Sequence, residues 1–311
     1  MRVLARLGTA SLVLTYLHLV FGGIVRITGS GMGCGDHWPK CNGSWIPPFD
    51  NPTVMIEWTH RLLALLVMVS IAWLAFAART RRNQPGVGGK GGVLRPAGGA
   101  LVLVVAVALL GLVTVKLGNT TLATVAHWTL ALTLLAVLIV AAVRAGALGG
   151  AAARLEGGTS RAVRSLSAGA ALAYFAVVLG GLVAKFPGAA VACPSFPLCG
   201  TSPAGVPAGA SHIQLTHRVL GYLLFVHVIA VASAVSRRSG ESRVTARTAK
   251  VAAALVLSQL VIGAAMVLSV LPPALRSAHQ AVGIGVWLTM FLAAYLARTA
   301  EMGKRKSEMG A

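Results

Sequence analysis

Two short stretches carry the residues best suited to chemistry. One runs Glu57-Trp58-Thr59-His60-Arg61-Leu62-Leu63-Ala64, the other Gln214-Leu215-Thr216-His217-Arg218-Val219-Leu220-Gly221. Each opens a long apolar run, where an ionisable group is costly and is usually kept for a function. Glu57 and His60 are one helical turn apart and share a face, so both can act on one bound molecule. The second stretch has an amide in place of the acid. Gln214 can neither take a proton nor stabilise a cation, whereas Glu57 can do both. Two related halves with different duties follow. The competing role for Glu57 is an ion pair with Arg61 or Arg26.

The histidines extend the pattern. His60, His127, His217 and His279 each fall near the start of an even-numbered apolar run, within about five residues of its end. At a rise of 1.5 Å per residue this predicts a depth of about 2–8 Å. Two imidazoles from facing helices at one depth form the usual axial pair of a haem iron, so the spacing predicts one haem per half. Zinc or copper would be left short of ligands with two imidazoles in each half. Any one of these histidines alone would read as a core residue with a hydrogen-bond partner. Arg61 and Arg218, each following a His, suit haem propionates because a guanidinium matches a carboxylate in two places; interfacial anchoring is their plainer role. His37 and His212 have no counterpart in the repeat. His18 and His227 sit deeper and could pair as a further site, with satisfied core histidines as the default.

The elements that hold these residues are membrane helices. Of 311 residues, 56% are hydrophobic and 11% charged, where a soluble domain carries about a quarter charged. Eight runs are long enough to cross a bilayer, near 7–26, 56–78, 97–118, 122–143, 167–187, 213–235, 250–271 and 277–298. The first holds Tyr16 and His18 and runs on into Gly22-Gly23-Ile24-Val25-Arg26 without a small-x-small cleavage context, so a retained helix is expected. The net charge of +20 encodes topology. With the N-terminus cytoplasmic, segments 1–6, 79–96, 144–166, 236–250 and 298–311 hold 20 of the 27 Lys and Arg residues. This is the positive-inside bias, and it removes the ground for a nucleic-acid partner.

Cys34, Cys41, Cys193 and Cys199 then lie in two loops on the outer face, where disulfides persist. Bridges within each loop, Cys34–Cys41 and Cys193–Cys199, are the favoured connectivity; a metal site is the alternative, though the gaps do not match structural zinc. The first loop is rich in Gly, Pro and Trp and is expected to pack over the outer mouth of the bundle. The connection 79–96 reads as a basic, Gly-rich linker, and the polar connection 144–166 divides the chain into 1–150 and 151–311. The second half repeats the first: Gly22 recurs as Gly180, Cys41 as Cys199, His60 as His217 and His127 as His279. Four helices per half make the repeat parallel. The expected fold is all-α and membrane-integral: eight transmembrane helices in two four-helix bundles related by a pseudo-two-fold axis along the membrane normal.

The chain resembles the haem A synthase family, in its bacterial eight-helix form with two internal halves. The likeness rests on Arg26-Ile27-Thr28-Gly29-Ser30-Gly31-Met32-Gly33-Cys34, Trp38-Pro39-Lys40-Cys41, Glu57-Trp58-Thr59-His60-Arg61 and Thr216-His217-Arg218. It covers nearly the whole length, with no departure at these positions. The resemblance implies oxidation of the C8 methyl of haem O to a formyl group by successive hydroxylations, giving haem A for terminal oxidases. It implies that His60 and His127 flank the substrate haem, that His217 and His279 ligate a haem b relaying electrons, and that Glu57 is the catalytic acid. It also implies outer disulfides, the first sometimes given a part in haem transfer. Expected partners are haem O, a quinol or other membrane electron donor, the farnesyltransferase that makes haem O, and the terminal oxidase.

Two other classes fit parts of the pattern. A di-haem b-type electron-transfer cytochrome explains the four histidines but gives Glu57 no duty; a hydroxylated or formylated haem in the extract separates the two. A transporter with parallel repeats would place its polar groups nearer the midplane on broken helices.

Overall fold

The structure is a computed structural model and describes residues 1–309. Its long elements are helices: α1 (Arg2–Ile27), α2 (Pro52–Thr80), α3 (Leu94–Lys116), α4 (Thr121–Arg144), α6 (Ser160–Lys185), α7 (Ala210–Arg237), α8 (Arg243–Leu268) and α9 (Pro273–Met309), with a single turn, α5 (Gly150–Ala153), before α6. The eight long ones are each apolar enough, over a sufficient length, to cross a membrane. Large side chains such as Val69, Trp73, Phe76, Val102 and Val226 face outward, more than half exposed. Water would not tolerate such a coat; lipid tails would.

The chain forms two compact units, Met1–Leu148 and Gly149–Ala311. In the first, α1 packs on α2 and α4, and α3 packs on the same two helices, closing a ring of four. In the second, α6 and α8 each pack on α7 and α9 in the same cyclic order. A four-residue turn, 117–120, joins α3 to α4, so those two are antiparallel neighbours.

One end of the first ring is filled by a tight apolar cluster. Leu4, Val67, Ile71, Leu74, Ala78, Ala97, Val104, Leu134 and Leu138 are buried there. Small residues bring the helices close: a Cβ added at Gly8 would lie 3.3 Å from the Ala142 backbone. The histidines lie toward the other end.

The helices start earlier than the apolar runs. Asn51, Thr159 and Ser242 cap α2, α6 and α8, each accepting a hydrogen bond from a backbone N–H of the first turn. The extra turns set the histidines deeper than the sequence predicts. His60 is the ninth residue of α2, His217 the eighth of α7, and His127 and His279 the seventh of α4 and α9. The rise from each helix start is therefore about 9–12 Å rather than 2–8 Å.

Candidate functional site

The loops at the histidine ends are stapled in the same way in both units. Cys34 pairs with Cys41 and Cys193 with Cys199, at Cα separations of 4.4 and 4.3 Å. The bridges displace the metal-site alternative, and all four sulfurs are committed. Each loop hangs from one helix by two side chains a turn apart. In the first, Glu57 Oε2 accepts the Cys34 N–H at 2.8 Å. In the second, Gln214 Oε1 accepts the Cys193 N–H at 2.7 Å. Arg61 Nη1 donates to the carbonyls of His37 (2.7 Å) and Lys40 (2.8 Å). Arg218 Nη1 donates to those of Ser195 (2.6 Å) and Leu198 (2.8 Å). The loop partners correspond at an offset of 158 residues (37 and 195, 40 and 198). Trp38–Pro39 and Phe196–Pro197, both cis, correspond likewise.

The acid-to-amide change alters one bond in this frame. Arg61 Nη2 turns onto Glu57 Oε1 at 2.5 Å. The matching nitrogen of Arg218 donates instead to the Cys193 carbonyl at 2.6 Å. Glu57 and Gln214 are both buried, at 3% and 5% exposure. The ion pair with Arg61 is thus present, and it shares the carboxylate with the Cys34 amide. Both guanidinium groups, read from sequence as propionate partners, are engaged by the loops. The first loop also reaches the α3–α4 turn, where Asn119 donates to the Gly31 carbonyl at 2.8 Å. Near α2, a Cβ at Gly33 would lie 2.3 Å from the Thr53 carbonyl oxygen, so only glycine lets the loop backbone approach this closely.

Beneath each loop lie the histidines, and each ring rests on a glycine of the preceding long helix. A Cβ at Gly22 would lie 3.2 Å from His60, at Gly111 3.2 Å from His127, at Gly180 3.0 Å from His217 and at Gly263 3.1 Å from His279. In the second unit the rings of His217 and His279 face each other, with centroids 6.4 Å apart and planes at 77°. In the first unit His60 contacts His18 at 4.4 Å and Phe21 at 6.5 Å. His18 and His227, considered as a pair from sequence, each have a partner inside their own unit: His18 has His60, and His227 Nε2 lies 3.0 Å from the Ser165 carbonyl. His37 is exposed in the loop beside Asp36.

Two contacts escaped the sequence reading, that of His18 with His60 and that of the Gln259 amide with His279 Nε2, at 3.1 Å. The available signal was their common position, four residues before Gly22 and Gly263.

These residues fit a haem. Nδ1 of His127, His217 and His279 is buried without a hydrogen-bond partner, an unfavourable state that a metal taking up its lone pair would relieve. Among the described residues, no three His, Cys, Asp or Glu side chains converge as a metal cage. A group that brings its own equatorial ligands needs only two imidazoles.

Comparison with known proteins agrees. Residues 5–291 match the cytochrome oxidase assembly protein family. The chain is similar to proteins named heme A synthase from Geobacillus kaustophilus, at 26% identity over 84% of this chain and 81% of that one. It is likewise similar to one from Shouchella clausii, at 28% identity over 86% and 87%. A stretch of 52 residues, 17% of the chain, is 50% identical to 9% of a protein from Thermus thermophilus named protoheme IX farnesyltransferase. With a match running from the first helix to the last, this chain belongs to the cytochrome oxidase assembly protein family.

Proposed function

We propose that the protein is a membrane enzyme that oxidises the C8 methyl of haem O to a formyl group, giving haem A for terminal oxidases. One observation carries this beyond haem binding: in two loop staples that are otherwise alike, the first unit holds a buried carboxylate and the second an amide. Stapling alone does not need the charge, since Gln214 holds Cys193 equally well. A carboxylate one turn from His60 can stabilise positive charge developing at an oxidised methyl carbon and take up its proton.

In this reading His60 and His127 hold the substrate haem in the first unit, and Glu57 is its catalytic acid. His217 and His279 hold a resident haem b in the second unit; when bound, it supplies one-electron redox chemistry. Arg61 and Arg218 are the propionate partners in this reading, each guanidinium carrying five N–H donors. The charge distribution supports a cell-membrane protein with both termini cytoplasmic and the cysteine loops outside. Each hydroxylation removes two electrons from the carbon; with dioxygen as oxidant it would draw two more from a quinol or other membrane donor. The farnesyltransferase that supplies haem O and the oxidase that receives haem A complete the partners.

Glu57→Gln tests the assignment. The amide keeps an acceptor for the Cys34 N–H and removes the charge. Arg61 loses its carboxylate, but the second unit shows the matching guanidinium nitrogen donating to a loop carbonyl beside an amide. Chromatography with mass detection of haems extracted from cells supplied with haem O should show haem b and haem O without haem A. Haem A at the level of the parent protein would refute the catalytic role. His217→Ala or His279→Ala should remove haem b from the same extract.

A further inference from the structure

The four ring-bearing glycines share a second feature, one turn back along their helices. Four residues before Gly22, Gly111, Gly180 and Gly263 stand His18, Val107, Ala176 and Gln259. Each unit therefore has one polar and one apolar residue at this position, and the polar one sits on opposite hairpins. In the first unit it is on α1, against His60; in the second it is on α8, against His279. His18 lies 4.4 Å from the His60 ring centroid and the Gln259 amide 3.1 Å from His279 Nε2. Val107 and Ala176 have no polar side-chain atoms to offer His127 and His217.

Packing does not ask for polarity here. The glycine already lets each ring approach, and an apolar neighbour suffices in two cases of four. Yet His18 Nε2 and Gln259 Oε1 are buried without partners, which is costly in a bundle surrounded by lipid. Residues kept at such a cost beside metal-facing imidazoles have a recognised use, fixing the plane and tautomer of the ligand.

We propose that His18 and Gln259 are positioning residues, His18 setting the ring of His60 and Gln259 the ring of His279. This rests on the haem assignments made above. Each unit then has one imidazole fixed by a side chain and one hydrogen-bonded only to backbone, His127 at Val107 and His217 at Ala176. In the first unit the fixed ring is the one that shares α2 with Glu57, so His18 keeps the substrate haem in register with the acid. In the second it belongs to α9.

The chain supplies its own control substitutions. His18→Ala and Gln259→Val each install the residue that the other unit tolerates at the same place. The full-length protein would be purified from a host that makes haem O. Haem b and haem O or A would be distinguished by mass, ferric low-spin signals recorded by electron paramagnetic resonance, and haem loss timed against a haem-scavenging apoprotein. His18→Ala should shift the first-unit signal and speed loss of haem O or A roughly 10- to 100-fold, with haem b unmoved. Gln259→Val should do the reverse. His18→Gln and Gln259→His, each of which installs the polar side chain that the other unit uses at the same place, should restore retention. Both haems bound with unmoved signals and loss rates, effects in the opposite unit, or no rescue would overturn the proposal while leaving the haem assignments intact. A parent protein without either haem would overturn both.

Discussion

Glu57 has two partners that pull in different directions. The Cys34 N–H asks only for an oxygen, which Gln214 provides equally in the second unit; Arg61 asks for a charge. Substituting Glu57 by Ala removes both at once, leaving a buried guanidinium with less compensation and an amide without an acceptor. An unsatisfied buried donor costs about 1–3 kcal/mol, and more for a charged group. Glu57→Ala should therefore loosen the first loop as well as stop catalysis, and Glu57→Gln should stop catalysis alone. Thiol alkylation after mild reduction distinguishes them: Cys34 and Cys41 should label faster in the Ala variant and at the parent rate in the Gln variant. Arg218 offers the same test without the chemistry. Its Nη atoms donate to the carbonyls of Cys193, Ser195 and Leu198, and hydrogen bonds to a charged group are worth about 1.5–3 kcal/mol each. Arg218→Ala should expose Cys193 and Cys199 to reductant at least tenfold faster, with Cys34 and Cys41 unchanged. At this scale the sequence revealed residues that recur in a fixed frame: the acid and amide pair, the His-Arg dipeptides and the paired cysteines. It concealed what breaks the frame. His18 corresponds to Ala176, so repetition could not single it out. The loop carbonyls that Arg61 and Arg218 hold carry no side-chain signature at all.

At the scale of the helix, hydropathy locates the part of an element that meets lipid, and hydrogen-bonded caps locate its ends. Asn51, Thr159 and Ser242 stand five, eight and eight residues before the apolar runs expected at 56, 167 and 250. A similar early start in α2, α7 and α9, at Pro52, Ala210 and Pro273, sets their histidines deeper than the runs imply. The start of α8 is held with particular care. The Ser242 hydroxyl donates to Glu156 at 2.5 Å while its oxygen accepts the Thr245 N–H at 3.3 Å, and the Val244 N–H also points to Glu156. The Ser242 hydroxyl holds the Glu156 carboxyl below its ordinary range, against the opposing effect of partial burial. Because the folded state lowers this pKa, its contribution to stability is complete above the ordinary carboxylate range. It is lost as pH falls through the lowered value. Glu156→Gln should reduce the apparent unfolding midpoint in detergent near neutral pH. The deficit should shrink as pH is lowered past the ordinary carboxylate range, where the parent carboxyl itself loses its charge. A deficit constant across that span would show that Glu156 contributes only as a neutral acceptor.

Across the whole molecule, duplication and charge are the two organising facts. Each unit closes its own ring of four helices, buries its own histidines and staples its own loop, so the division at Leu148 and Gly149 separates two self-sufficient packing problems. The repeat was legible because cysteines, histidines and glycines recur at nearly constant offsets, and the helical class because lipid demands uninterrupted apolar runs. Direction across the membrane is a property of charge rather than of packing. Segments 1–6, 79–96, 144–166, 236–250 and 298–311 hold 20 of the 27 basic residues, while both cysteine loops belong to the poorer side. The orientation proposed on that bias keeps Lys and Arg on the cytoplasmic side and puts the disulfides outside, where oxidation is sustained. A membrane-impermeant maleimide applied to intact cells after reduction should label the native loop cysteines. In a variant lacking those four, a cysteine placed at Ser239 or Gln84 should label only after the cells are opened. Labelling of Ser239→Cys in intact cells would reverse the orientation, putting the acid, the arginine staples and the histidine-bearing ends of all four even-numbered spans on the cytoplasmic side.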